Sequence, residues 1–143
     1  MRKVVILASL AAFPMSSLAI AGGEPTDIWE GVFTEEQVER GNEAYDRHCV
    51  VCHSEDLGGV DDETPSLTEP AFRWSWVGKT IADRFERTQT TMPLNEPGSL
   101  DGQVYADIIS YILHFNGYPV GEVELTADLE RMEEIEITLE DDD

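Results

Sequence analysis

Two cysteines occur in the chain, and a histidine follows the second: Cys49-Val50-Val51-Cys52-His53. Four chemistries use thiols at this spacing. A structural disulfide would close a loop too small to stabilise much. A thioredoxin-like redox pair belongs in a βαβ setting, and no such pattern surrounds these residues. A structural zinc site needs two further ligands, and there is no second cysteine pair. Covalent haem attachment uses the whole motif: each thiol adds to a haem vinyl group, and the adjacent histidine lies under the iron as its proximal ligand. Five residues in this order, in a chain with no other cysteine, favour haem over a disulfide or redox pair.

Iron held by one histidine needs a second axial ligand or keeps an open site. Outside the N-terminal leader discussed below, the candidates are His48, His114, Met92 and Met132. His48 adjoins Cys49, and its tether is too short to reach the opposite haem face. His114 falls on the less apolar side of a helical stretch, where a surface position is expected. Met132 lies among Glu130, Glu133 and Glu134, which suggests a tail position. Met92 stands in Thr90-Thr91-Met92-Pro93, with Pro93 stiffening the chain after it. A thioether is neutral and soft, favours Fe(II) and raises the potential. Met92 is therefore the expected ligand. Two filled axial positions leave no substrate site on the iron, which points to electron transfer rather than oxygen or peroxide chemistry.

Helices must position these groups. Phe33-Thr34-Glu35-Glu36-Gln37-Val38 predicts a helix start, with Thr34 as N-cap, Gln37 completing a capping box, and Phe33 and Val38 at staple positions. The helix runs toward His48 and delivers the cysteines at its C-terminal end. Gly41 in its middle costs about 1 kcal/mol relative to Ala, so a second helix crossing closely is expected there. Gln103 to Phe115 supplies that helix, with Val104, Ile108, Tyr111 and Ile112 on one face and Tyr105, Ile109 and Leu113 widening it. Ser99 or Asp101 can cap its start, and Asn116-Gly117 with Pro119 ends it. A shorter helix is predicted from about Thr80 to Thr88, with Ile81 and Phe85 inward and Asp83 pairing with Arg87.

The flanks say where the protein goes and how it is charged. Arg2 and Lys3, the apolar run Val4 to Ala12, and Ala19-Ile20-Ala21 form the three parts of a cleaved secretory signal over residues 1–21. Export to the periplasm is expected. No apolar run reaches the ~20 residues of a membrane span. Thirty Asp and Glu stand against nine Lys and Arg, a net charge of −21, which excludes a basic nucleic-acid grip. Removal of residues 1–21 deepens the charge to −23. The acid is uneven: residues 22–63 carry a net −11, 64–121 only −2, and 122–143 a net −10. Either a basic partner is being steered, or the surface is adapted to a salty exterior. Ile135, Ile137 and Leu139 alternate with polar residues, so part of the C-terminal segment should be extended and packed on the body.

Taken together, the residues carry a resemblance. Gly41 and Tyr45, then Cys49 to His53, Pro65-Ser66-Leu67, Phe72 with Trp74 and Trp76, Thr91-Met92-Pro93, Pro97-Gly98-Ser99-Leu100, Tyr105-Ala106-Asp107-Ile108, Tyr111-Ile112-Leu113 and Asn116-Gly117-Tyr118-Pro119 resemble a single-haem class I cytochrome c. The chain is especially similar to the small cytochrome domains associated with pyrroloquinoline-quinone-dependent alcohol dehydrogenases. The resemblance implies an all-α fold, with three or more helices around one covalent haem c. It implies that the Pro65 carbonyl orients His53, and that Trp74 or Trp76, with Arg73 or Lys79, contacts the haem propionates. It also implies a dehydrogenase donor and an oxidase or other acceptor. The expected organisation is a signal peptide at 1–21, an extension at 22–33, a cytochrome domain at 34–120 and an acidic segment at 121–143. The product is expected to be a soluble, monomeric electron carrier and not an enzyme. The alternatives are a permanently bound dehydrogenase subunit or, less favoured, a haem-based ligand sensor. Because haem would fill a modest core, the haem-free chain is expected to fold poorly.

Overall fold

The computed structural model describes residues 23–140; the signal-peptide reading of residues 1–21 and the Asp141-Asp142-Asp143 terminus lie outside them. Six α-helices are present among the described residues, and no strand: α1 (Glu35–His48), α2 (Val50–His53), α3 (Ala71–Ser75), α4 (Ile81–Thr91), α5 (Gly102–Phe115) and α6 (Leu129–Glu133). The architecture is all-α, consistent with a class I cytochrome c fold. No helix among the described residues is long and apolar enough to cross a membrane.

The principal packing is α1 across α5, and Gly41 makes it possible. A Cβ at Gly41 would lie 2.0 Å from the Asp107 carbonyl oxygen and 2.9 Å from the Tyr111 Cβ. The helical cost of glycine is thus offset by a backbone approach no larger residue permits. Tyr45 and Tyr111 meet beside the crossing, with ring centroids 5.3 Å apart. A polar cluster pins its other end. Asp107, buried on α5, accepts from Gln37 Nε2 at 2.9 Å, Arg40 Nε at 3.0 Å and Gln103 Nε2 at 3.0 Å. Arg40 also pairs with Glu124, and these carboxylates hold its guanidinium even more firmly charged than usual.

The caps differ in part from the sequence reading. Thr34 Oγ1 does accept from the Gln37 amide, at 3.2 Å. The Gln37 side chain, however, does not turn back to complete a capping box. Its amide donates to the Leu125 carbonyl at 2.7 Å and accepts from the Leu125 N–H at 2.8 Å, as a strand neighbour would. The full capping box lies instead at α4, between Thr80 and Asp83. Asp83 is therefore spent on the cap, and α4 runs on to Thr91. Asp101 caps α5.

The segments flanking residues 34–120 share the same core. Ile28, Val32 and Phe33 from one side and Leu125, Met132, Ile135 and Ile137 from the other are all buried with the helical residues. Met132, expected in a tail, is fully covered where α6 packs on α4. The last stretch is extended, as its alternation suggested. Ile81 N–H donates to the Ile135 carbonyl at 2.9 Å, Gly78 N–H to the Ile137 carbonyl at 2.8 Å, and Ile137 N–H to the Lys79 carbonyl at 2.8 Å. Gly31 and Gly121 allow the two flanks to meet: a Cβ at Gly121 would lie 2.1 Å from the Gly31 carbonyl oxygen. Arg131 binds Glu24 at 3.0 Å and the Pro25 carbonyl, joining the flanks a second time.

Two stability predictions follow from this packing. Gly41→Ala should cost at least the ~1–3 kcal/mol of ordinary overpacking, and Ile137→Ala about 2–5 kcal/mol from the lost core contact. Guanidinium unfolding of the mature protein checks both; an unchanged midpoint for Ile137→Ala would show that the C-terminal stretch is not part of the core. A third prediction concerns alkaline pH. Tyr118 donates its hydroxyl to the Thr138 carbonyl at 2.9 Å, and burial, with a lesser push from Glu69, raises it to about 12. A group raised above its unfolded value stabilises fully below that value and loses the contribution as pH climbs through the folded one. Stability should thus fall from about pH 10 to 12, and less steeply in Tyr118→Phe, measured as unfolding free energy against pH.

Candidate haem site

Helix α1 ends where the thiols begin. The Cys49 N–H donates to the Tyr45 carbonyl at 2.8 Å as the C-cap. The chain then enters α2, with the Cys52 and His53 amides both donating to the Cys49 carbonyl, at 3.1 and 2.9 Å. Cys49, Cys52 and His53 thus share one tight turn. Ser54 takes a left-handed φ of 58° and sends the chain back, with Gly59 N–H on the His53 carbonyl and Val60 N–H on the Cys52 carbonyl, each at 3.0 Å. The Tyr45 hydroxyl, donating to the Ser54 carbonyl at 2.9 Å, ties this turn to α1.

Both thiols are free, Cys49 half-buried and Cys52 exposed. Burial, reinforced by Cys52, pushes the Cys49 thiol up to about 11. A redox-active pair requires the reverse, a thiol lowered toward neutrality. Among the described residues, no three His, Cys, Asp or Glu side chains gather as a metal-ion cluster.

His53 is buried, with Nδ1 3.2 Å from the Pro65 carbonyl oxygen. A carbonyl only accepts, so Nδ1 carries the proton and Nε2 keeps its lone pair for an electrophile. Desolvation lowers the imidazole pKa, against the opposing bond to Pro65, and keeps the ring in the neutral form a metal needs. Pro65 is itself located by its neighbours: Leu67 N–H donates to the Leu57 carbonyl at 2.8 Å, and Asn116 Nδ2 donates to the Leu67 carbonyl at 2.9 Å.

Met92 lies at the far end of α4 as its C-cap, half-buried, with its N–H on the Thr88 carbonyl at 2.8 Å. Its own carbonyl accepts the Tyr105 hydroxyl from α5 at 2.7 Å. Tyr105 is buried and meets Phe85 edge to face, with centroids 6.3 Å apart. Two helices thus fix the backbone that carries the thioether. The other histidines are placed apart from these contacts: His114 is exposed, with Nδ1 near the Tyr118 carbonyl at 3.3 Å, and His48 ends α1.

The two tryptophans diverge. Trp74 is 86% exposed, whereas Trp76 is buried and stacked on Phe72 at 5.2 Å. Arg73 faces outward and pairs with Glu69 at 3.5 Å. Lys79 is exposed and engages the C-terminal stretch through its backbone. The cation that does meet Trp76 is Arg84, whose Cζ lies 5.9 Å from the ring centroid. Reading along the sequence missed Arg84. The available signal was its spacing, since Arg84, Thr88 and Met92 follow at i, i+4 and i+8 on one stripe of α4. A groove of about 310 Å³ lies between residues 26–29 and 134–139 and holds none of these groups.

In comparisons with known proteins, the family model described as "Cytochrome C oxidase, cbb3-type, subunit III" matches residues 36–112. That span includes both cysteines, His53, Pro65 and Met92. No curated protein matches the chain, and no solved structure does.

Tyr105→Phe should loosen the Met92 segment. Loss of one buried hydroxyl bond costs about 0.5–1.5 kcal/mol, read as a lower denaturant midpoint. Hydrogen exchange over residues 92–100 should rise relative to α1; equal protection in both proteins would show that Tyr105 does not hold the segment.

Proposed function

Because the chain belongs to the cytochrome c family whose model is described as cbb3-type oxidase subunit III, we propose that it is an exported single-haem electron carrier with His53 and Met92 as axial ligands. The family implies covalent haem c and electron transfer. The residues fit the group: two uncommitted thiols on one turn, an imidazole with a free Nε2, a thioether on a fixed backbone, and a buried arginine nitrogen without a partner beside Trp76. The observation that carries the reading is the bond from His53 Nδ1 to the Pro65 carbonyl, which leaves Nε2 as a donor beside two free thiols.

Each residue has a definite task. Cys49 and Cys52 would hold the group as thioethers, each S–H adding across one vinyl group, sulfur to one carbon and hydrogen to the other, so no oxidant would be consumed. His53 supplies Nε2, and Pro65 fixes its ring and raises its basicity. Met92 supplies a neutral sulfur. When bound, the haem iron exchanges one electron between Fe(II) and Fe(III). With His53 and Met92 both available to hold the iron, the role is carriage between a dehydrogenase, a quinoprotein by resemblance, and an oxidase or other acceptor. The periplasm is the compartment, reached through the signal at residues 1–21. A permanently bound cytochrome subunit is the second reading, favoured by the family description as an oxidase subunit. Gel filtration of native extract separates the two, since a subunit elutes with its enzyme.

Visible spectra of the oxidised and reduced protein test the assignment. The reduced protein should show the bands of c-type haem, and Met92→Ala should lose the red-edge sulfur-to-iron band. Cys49→Ala with Cys52→Ala should abolish covalent haem and with it native helical circular dichroism. A Met92→Ala protein that keeps the red-edge band would remove Met92 as the ligand.

A further inference from the structure

Arg84 is an anomaly in so acidic a protein. Four of the other five described arginines form ion pairs: Arg40 with Asp107, Arg47 with Glu43, Arg73 with Glu69 and Arg131 with Glu24. Arg84 forms none among the described residues, and its Nε is buried without a hydrogen-bond partner. A buried polar nitrogen left unpaired is costly, more so on a charged group. Thirty carboxylates are available in the sequence, yet none among the described residues is placed to answer this one. Arg131 Nη1 also lacks a hydrogen bond, but it lies 3.9 Å from Glu134, and that guanidinium is already engaged by Glu24 and the Pro25 carbonyl.

The surroundings hold Arg84 ready for an anion. Its guanidinium lies over Trp76, and Trp76 is backed by Phe72, which limits how the fork can turn. Its backbone is part of the chain of bonds that ends at Met92: Thr88 Oγ1 donates to the Arg84 carbonyl at 2.7 Å, and Met92 N–H donates to the Thr88 carbonyl at 2.8 Å. Arg84 and Met92 thus share one stripe of α4, about 12 Å apart along the helix axis. A ligand that meets the Met92 sulfur and carries a carboxylate at its rim matches that arrangement.

We propose that Arg84, stacked on Trp76, binds a propionate carboxylate of the haem whose iron Met92 ligates. The inference rests on the haem assignment above and assigns the contact to a residue on α4, in place of Arg73 or Lys79. Within α4, Arg87 opposes the charge on Arg84 and Asp83 favours it. From the neighbouring elements, Arg73 of α3 is paired with Glu69, Asp107 of α5 is held by Arg40, and Glu133 of α6 accepts from Thr80 Oγ1 at 2.9 Å. Lys79 is exposed in the link before α4. The bound propionate therefore has Arg84 as its specific counter-charge and stays ionised in both redox states.

The test uses mature holoprotein: wild type, Arg84→Gln and Arg84→Lys. Visible spectra first establish haem content, and reduction potentials are then measured from about pH 5 to 9. The wild-type potential should vary little with pH, apart from any contribution of His48 and His114, which all three proteins share. In Arg84→Gln the freed carboxylate should take up a proton more readily in the reduced state, so its potential should fall further with rising pH. Arg84→Lys keeps the charge and should return toward the wild-type profile. A haem-loaded Arg84→Gln protein whose profile overlays the wild type overturns the inference while leaving the haem assignment standing. Absence of haem from the wild type overturns both. Should Arg84→Gln fail to mature, the redox-difference infrared spectrum of Arg84→Lys decides. Carboxylate bands displaced from the wild type support the contact, and unchanged bands overturn it.

Discussion

The close crossing of α1 and α5 is the constraint on which the rest depends. It exists because residue 41 has no side chain, so that the Asp107 carbonyl can occupy the space a Cβ would fill. From that fixed point, α1 delivers Cys49 at its C-terminus, and α5 presents Tyr105 to the Met92 carbonyl and Asn116 to the Leu67 carbonyl. The cysteine turn, the Pro65 segment and the methionine segment are therefore referred to one pair of helices. Asp107 has a second task there. As the shared acceptor for Gln37, Arg40 and Gln103 it locks the crossing at its polar edge, where three donors satisfy a carboxylate that burial would otherwise penalise.

The acidic flanks are built into this arrangement. Leu125, Met132, Ile135 and Ile137 are buried, while the glutamates between them stay outside. The net −7 of residues 122–140, eight acids and Arg131, thus belongs largely to the outer face of a packed segment. Some acids also do structural work: Glu124 neutralises Arg40, Glu24 holds Arg131, and Glu133 binds Thr80. Of the two explanations for the acidic excess, neither needs a flexible tail over the described residues. Exposed ion pairs of this kind contribute little each, so the flanks are held chiefly by their apolar residues and backbone bonds.

Local features were legible in the sequence. The helices at 35–48 and 102–115 could be located from a cap, a period and a stop, because those signals lie within a few residues of what they govern. Gly41 announced a close crossing, since a mid-helix glycine otherwise has only a cost. The pairings over long separations were not legible. Gln37 suits a capping box by spacing, but the backbone of Leu125, 88 residues away, offers it two bonds. Met132 looks solvated among three glutamates because side-chain charge does not reveal which helical face meets α4. Trp74 and Trp76 cannot be told apart by spacing alone; only the packing of α3 shows that one ring stacks on Phe72 while the other stands in water.

The same division between local and distant applies to the two ends of the site. Cys49, Cys52 and His53 occupy one turn, and their relative placement is nearly complete once α1 and α2 form. Met92 is 39 residues beyond His53 in the chain. Its position depends on the packing of α4 on α5 and the Tyr105 hydroxyl. The entropy of closing that loop is recovered only by tertiary contacts. In the proposed site, loss of tertiary order would therefore release the sulfur ligand while the thioether links and the adjacent imidazole remain. Under that proposal, Met92 rather than the attachment motif is where the stability of the fold would bear on the chemistry of the iron.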